Sequence, residues 1–198
     1  MVRNDHPTLK AATLLFACFA AMAAGMVDLS IAAGYLTGAG SAIPGMMLAG
    51  GAALAAGLAF LAWSLLGLHR NAVIVPRFAF PALAAAAAAH VAVLAAGLSA
   101  SPRSLDVSHL AALGLTLMVL AGAGWLRRQI KTNDGGAHGQ PRTGRLLAAA
   151  FGAAVVVASV ATPGLAASMA GQHAVPHGEH GQTPPAGLNS NGGSGHHH

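Results

Sequence analysis

Residues 78–100 read FAFPALAAAAAAHVAVLAAGLSA, an apolar segment in which His90 is the single ionisable side chain. A transmembrane helix needs about 20 consecutive, mostly apolar residues, and this segment has that length. Helices satisfy their own backbone hydrogen bonds, so such a segment is stable in lipid. Similar segments elsewhere in the chain complete a set of predicted spans at 11–33, 46–68, 78–100, 107–126 and 146–168. The sequence therefore predicts an all-α integral membrane protein built as a bundle of five transmembrane helices.

The composition of the whole chain agrees with this class. Of 198 residues, 55% are hydrophobic and 8% are charged, against about 25% charged residues in soluble globular domains. This excludes an ordinary soluble domain, and the high hydrophobicity excludes a disordered chain. The formal charge of +5 would suggest a nucleic-acid partner in a soluble protein. Here the cations follow membrane topology, so we expect the lipid bilayer and no nucleic acid as a partner.

The positions of the cations predict the orientation of the helices. Nine of the ten Lys and Arg residues fall before the first span or in the second and fourth links between spans, whereas Arg103 falls in the third link. Cytoplasmic loops carry the excess of Lys and Arg. The sequence therefore predicts a multi-pass protein of the cell membrane, with a cytoplasmic N-terminus (residues 1–10) and an extracytoplasmic C-terminus.

The first span has a second interpretation. Arg3 and Lys10, followed by an apolar run and small residues, resemble a secretory signal peptide, and cleavage near Ala23 or Ala24 would leave four spans. The apolar run continues past Gly25 to a full membrane length, which favours a retained transmembrane helix.

Residues 171–198 differ in composition from the rest of the chain. They are rich in Gly, Pro, Gln, Asn and Ser and contain no Lys or Arg, which predicts a disordered extracytoplasmic tail. His173, His177 and His180 lie within it, and flexible imidazole clusters bind copper, zinc or nickel ions. The terminal residues 196–198 are histidines that follow the sequence GGSG and resemble the remnant of a purification tag. A solvated spacer without metal is the alternative for this tail.

A second group of candidate metal ligands is predicted at the extracytoplasmic face. His109 lies three residues after Asp106 at the start of the fourth span, so both side chains share one face of that helix. By the same topology Met46, Met47 and Met169 reach this surface. Imidazole and thioether ligands together favour copper, whereas the alternative is that these methionines only fill apolar space.

Two ionisable side chains are predicted inside the bilayer, where such groups are costly and are candidates for function. Asp28 lies in the outer third of the first span, within reach of interfacial water or of Arg103, and Tyr35 follows two turns later along its face. His90 lies near the middle of the third span. It serves either as a core residue bonded to backbone, as a proton-relay element, or as a metal or haem ligand.

Haem ligation by two histidines requires both at similar depth on facing helices. His90 lies ten residues from the end of its span, or about 15 Å at about 1.5 Å per residue. His109 lies at the outer end of the fourth span, and His69 lies at the cytoplasmic end of the second. The sequence therefore predicts no intramembrane bis-histidine haem within one chain.

Three functions fit these features. The first is extracytoplasmic handling of a transition metal by the outer Met and His residues and the tail. The second is an accessory or assembly subunit whose Ala- and Gly-rich helix faces dock on other membrane proteins or on a second copy. The third is a small transporter or channel that uses Asp28 and His90. Motifs such as HExxH, GxSxG and a Gly-rich phosphate loop beside a lysine are missing from the sequence, so no enzymatic activity is expected.

Overall fold

The structure is a computed structural model that describes residues 6–37, 44–72, 78–100, 106–132 and 143–168. These residues contain no strand and form five α-helices, namely α1 His6–Thr37, α2 Pro44–Arg70, α3 Ala79–Ala100, α4 Val107–Thr132 and α5 Thr143–Ala167. Each helix is long and apolar enough to cross a membrane. The prediction of an all-helical chain with five apolar helices of membrane-spanning length is therefore confirmed. The predicted tail, 171–198, lies outside the described residues.

Helix α1 is the centre of the bundle. It packs against α2, α4 and α5, while α4 also packs against α3 and α5. Small side chains make this possible, because Ala17, Ala20, Ala21 and Ala24 of α1 are all fully buried. In lipid, close packing of small residues replaces the hydrophobic effect as the cause of helix association. Helix α3 is the least embedded of the five, and most of its surface is exposed.

The surfaces that face out of the bundle are apolar. Leu48, Phe78 and Phe151 are 76%, 71% and 73% exposed. A soluble monomer rarely exposes large contiguous apolar patches, whereas such side chains are well suited to lipid. Apart from Asp28, the charged side chains of the described residues lie near the helix ends. We call the end that carries Arg70 and Arg127 the basic end, and the opposite one, which carries Asp106, the Asp106 end.

The basic end of α2 is closed by a local motif. Asn71 has a φ of 48°, in the left-handed region that Asn tolerates better than most residues. The Ala72 amide donates to the Gly67 carbonyl at 3.2 Å and the Asn71 amide donates to the Leu68 carbonyl at 3.3 Å. This is a Schellman motif, so the last carbonyls of α2 are satisfied where the chain turns towards α3.

The backbones of α1 and α2 approach each other closely at Gly25 and Gly57. A Cβ atom added at Gly57 would lie 2.9 Å from the Gly25 carbonyl oxygen, and one added at Gly25 would lie 2.8 Å from the Gly57 carbonyl oxygen. Both neighbours are backbone atoms, which cannot rotate away as a side chain can. Glycine is therefore required at both positions.

Replacing Gly57 with Ala is expected to lower the free energy of unfolding by about 1–3 kcal/mol, the usual cost of overpacking an interior. Gly51→Ala is the matched control in the same helix, because a Cβ atom there meets nothing within 4 Å. Unfolding in mixed micelles of increasing SDS content, followed by circular dichroism, measures both variants. Equal stability of the two variants would contradict the close approach.

Candidate functional site

Asp28 lies in the interior of the bundle, on α1. It is 1% exposed, and within the described part of the chain neither carboxyl oxygen has a hydrogen-bond partner. Its Oδ1 lies 3.4 Å from Nε2 of His90 on α3. Burying a carboxyl group without a partner is costly, so this pair is a natural place to hold a proton, either on the acid or on the ring. Arg103, the partner predicted from the sequence, lies outside the described residues.

His90 joins the interior of the bundle to α4. Its Nδ1 lies 3.1 Å from Nδ1 of His109, within hydrogen-bond distance, and the two ring centroids are 5.4 Å apart. Both residues are buried. Because α3 packs mainly against α4, His90 is the residue through which α3 reaches Asp28 on α1.

His109 is held in place by the N-terminus of α4. The Oδ1 atom of Asp106 accepts hydrogen bonds from the amides of Ser108 at 2.9 Å and of His109 at 3.3 Å, as a helix-capping aspartate does. On its other side His109 contacts α1, since its Nε2 lies 3.1 Å from the Tyr35 hydroxyl. The capped first turn thus fixes the ring between Tyr35 and His90.

The four side chains Asp28, His90, His109 and Tyr35 form one line, which we call the polar chain. It begins at the buried carboxyl group and reaches the Asp106 end of the bundle, where Tyr35 is half-buried. The Asp106 carboxyl, half exposed at 50%, has its Oδ2 atom 3.9 Å from His109 Nε2. The polar chain therefore joins an interior acid to the surface of the bundle.

The polar chain admits two arrangements of its protons, because a neutral imidazole has one N–H donor and one acceptor nitrogen. In the outward arrangement Asp28 is a carboxylic acid whose O–H points at His90 Nε2. The N–H at His90 Nδ1 then donates to His109 Nδ1, and the N–H at His109 Nε2 donates to the Tyr35 hydroxyl. In the inward arrangement every bond is reversed: Tyr35 donates to His109, His109 donates to His90, and His90 Nε2–H faces the Asp28 carboxylate.

Conversion of the inward into the outward arrangement moves one proton into the protein. Tyr35 passes its proton to His109 and regains one from solvent, each histidine passes a proton on, and the Asp28 carboxylate becomes a carboxylic acid. The successive separations of 3.1, 3.1 and 3.4 Å are short enough for transfer between neighbours after small adjustments. The geometry is therefore suited to proton uptake from the Asp106 end.

Towards the basic end the polar chain has no continuation in the described helices. The two buried hydroxyl groups on that side are bonded to backbone carbonyls: Ser64 donates to Cys18 at 2.8 Å and Thr116 donates to Ala112 at 2.8 Å. Hydroxyls bonded in this way stabilise packing and do not extend the line from Asp28. As described, the polar chain is open at one end only.

The prediction that His90 and His109 lie at different depths is wrong, because their rings are in contact. Residue counts give depth only for upright helices with level ends, whereas transmembrane helices tilt by about 20° on average and imidazole rings extend well away from the backbone. The spacing still disfavours a shared haem for a different reason. A separation of 3.1 Å between the Nδ1 atoms leaves no room for iron and a porphyrin between the rings.

Of the remaining predicted ligands, the structure describes Met46 and Met47. Met46 and Met47 are exposed on the first turns of α2, at 38% and 54%. The residues that the structure describes contain no group of three or more His, Cys, Asp or Glu side chains placed to hold a metal. The other candidates lie outside those residues, namely Met169, His173, His177 and His180. Metal binding at the tail or the outer methionines stays a prediction from the sequence.

Comparison with protein-family models, with curated proteins and with solved structures gives no match. The sequence identified Asp28, His90 and His109 one by one, and it missed that they are neighbours. One signal was available for Tyr35, which lies seven residues after Asp28 and hence on the same helix face.

Proposed function

We propose that the protein is a small multi-pass membrane protein that moves protons, as a proton channel or a proton-coupled transporter. The observation that carries this proposal is the line of titratable groups from Tyr35 through His109 and His90 to Asp28, with successive separations of 3.1, 3.1 and 3.4 Å. Ionisable residues inside a transmembrane bundle commonly mark proton relays and ion pathways. The positive-inside rule supports an orientation with the Asp106 end extracytoplasmic, so protons would enter from outside.

A second step has to release the proton towards the basic end, because the polar chain stops at Asp28. We assign this step to α3, which is the least embedded helix and packs mainly against α4. A shift of α3 would carry His90 away from Asp28 and break the link to the Asp106 end. Transporters commonly alternate access to a fixed site by moving one part of the bundle against the rest.

Proton flux into liposomes tests the proposed function. The purified protein is reconstituted with a pH-sensitive dye inside, and a potassium gradient with valinomycin sets the membrane potential. We expect the lumen to acidify faster than in protein-free liposomes.

His69→Ala, which alters an exposed histidine at the basic end of α2, should leave the flux unchanged. A rate equal to that of protein-free liposomes, at every potential and pH gradient, would refute a proton channel. A strictly coupled transporter would need its second substrate to be supplied in the same assay.

Replacing Tyr35 with Phe is expected to slow the flux severalfold without abolishing it. The change removes the hydroxyl group that contacts His109 Nε2 at 3.1 Å, but the Asp106 carboxyl lies 3.9 Å from the same nitrogen and can replace it through water. The liposome assay measures the rate, and Leu36→Ala is the control at the neighbouring exposed position. A Tyr35→Phe rate equal to that of the wild type would remove Tyr35 from the path.

A further inference from the structure

Helices α2 and α3 follow each other in the sequence but make almost no direct contact. A cleft of about 430 Å³ lies between them, with Phe60 of α2 and Val119 and Ala123 of α4 as its floor. Its volume falls in the range of about 300–1,000 Å³ that is usual for small-molecule sites. We call this space the α2–α3 cleft.

The α2–α3 cleft is lined by apolar side chains on both walls. The α3 wall carries alanines at positions 79, 82 and 86, and the α2 wall carries Ala56, Ala59 and Trp63 at the same helical spacing. Residues three and seven apart lie on one helix face, so each wall carries a stripe of small side chains, flanked by larger apolar ones such as Leu66 and Leu83. The cleft is thus an apolar slot that can hold a hydrocarbon chain.

The basic end of the α2–α3 cleft carries positive charge. The guanidinium group of Arg127 lies over the ring of Phe80, 5.2 Å from its centroid, and Arg127 follows the lining residue Ala123 by one turn of α4. Helices α2 and α3 contain no acidic residue. The two acids that the structure describes, Asp28 and Asp106, belong to the polar chain or the Asp106 end. Among these residues Arg127 therefore has an aromatic neighbour and no carboxylate near it.

We propose that the α2–α3 cleft binds an anionic phospholipid, with an acyl chain between the two helices and the phosphate group at Arg127. Arginine binds phosphate through paired, charge-assisted hydrogen bonds, and basic pockets between transmembrane helices bind anionic lipid headgroups. The floor and walls of the cleft contact the acyl chain, and Arg127 makes the site selective for an anionic headgroup. This site is separate from the polar chain and does not depend on proton movement.

The fluorescence of Trp63 tests this proposal, because Trp63 lines the cleft. In a Trp125→Phe background, Trp63 is the one tryptophan left in the chain. The full-length protein is reconstituted in phosphatidylcholine with increasing fractions of brominated phosphatidylglycerol or brominated phosphatidylcholine, whose acyl bromines quench on contact. We expect phosphatidylglycerol to be preferred about fivefold, the effect of one basic residue close to a lipid phosphate.

Two pairs of variants identify the cause of the quenching. Arg127→Gln should reduce the preference to about onefold, whereas Arg145→Gln, which removes a cation from the start of α5, should keep it. Ala82→Phe should fill the cleft and weaken quenching by both lipids, whereas Ala85→Phe, on an exposed position outside the lining, should not. Circular dichroism and gel filtration check that each variant is folded.

Equal quenching by the two brominated lipids in the parent protein would overturn the proposal. A preference for phosphatidylglycerol that survives Arg127→Gln would also overturn the proposal. Arg127 is exposed, so its replacement should not disturb the packing of the helices. Weak quenching by both lipids would show that acyl chains do not enter and that another protein segment fills the cleft, which overturns it as well.

Discussion

Replacing Asp28 with Asn is expected to reduce proton flux in liposomes to the level of protein-free liposomes. Asn has nearly the same size and can still bond to His90 Nε2, either as donor through its amide nitrogen or as acceptor through its oxygen. Its amide group does not take up or release a proton, so the polar chain keeps its contacts and loses its terminal proton acceptor. The free energy of unfolding should stay the same or rise, because a neutral amide is cheaper to bury than a carboxylate.

The matched control for this variant is Asp106→Asn, which makes the same chemical change at an exposed acid beside the polar chain. Its side chain is 50% exposed, and Asn caps a helix as well as Asp does, so most of the flux should remain. Proton flux and the free energy of unfolding, measured on both variants, distinguish a proton relay through Asp28 from a purely structural role. Flux that persists in Asp28→Asn at wild-type rate would remove the acid from the path.

Replacing His90 with Ala is expected to abolish the flux and also to weaken the fold. The ring contacts both Asp28 and His109, so its loss removes the nearest polar neighbour of the Asp28 carboxyl and the hydrogen-bond partner of His109 Nδ1, each at a cost of about 1–3 kcal/mol. We therefore expect the free energy of unfolding to fall by about 2–6 kcal/mol in SDS titrations. The neighbouring Val91→Ala is the control, because Val91 is 51% exposed and exposed substitutions usually change stability by about 0.5 kcal/mol or less.

A double-mutant cycle shows whether the loss of stability comes from the interaction between Asp28 and His90. Residues in direct contact have interaction energies of about 0.5–3 kcal/mol, so Asp28→Asn combined with His90→Ala should cost less than the sum of the two single changes. Strict additivity would mean that the 3.4 Å separation between the two side chains carries no interaction, and α3 would then be positioned by α4 alone.

The helices were predictable from sequence because hydropathy over about 20 residues is a strong signal. The ends of the helices were not predictable, because hydropathy shows where the apolar run ends and not where the helix ends. Helix α4 continues to Thr132, past the predicted end at 126, since the polar and basic residues from Arg127 onward leave the apolar run without breaking the helix. Helix α1 likewise extends beyond 11–33 at both ends, over His6–Thr37.

The members of the candidate site were predictable and their association was not. Asp28 and His90 stand out because ionisable groups are rare in apolar helices. Nearly every helix face here is apolar, however, so periodicity does not tell which faces meet. The count of residues from the span ends then placed His90 and His109 at different depths. A better guide was available in energetics, since a buried acid without a neighbour is costly and the other interior polar residue is its natural partner.

The link between Asp28 and His90 also has a consequence for how the protein is made. Helix α1 is synthesised first, and its acid has no partner until α3 emerges, while the second imidazole arrives only with α4. A chain that ends after α2 therefore keeps an ionisable group inside an apolar helix with neither imidazole beside it, which is costly. Asp28, His90 and His109 come together only when α4 has been added.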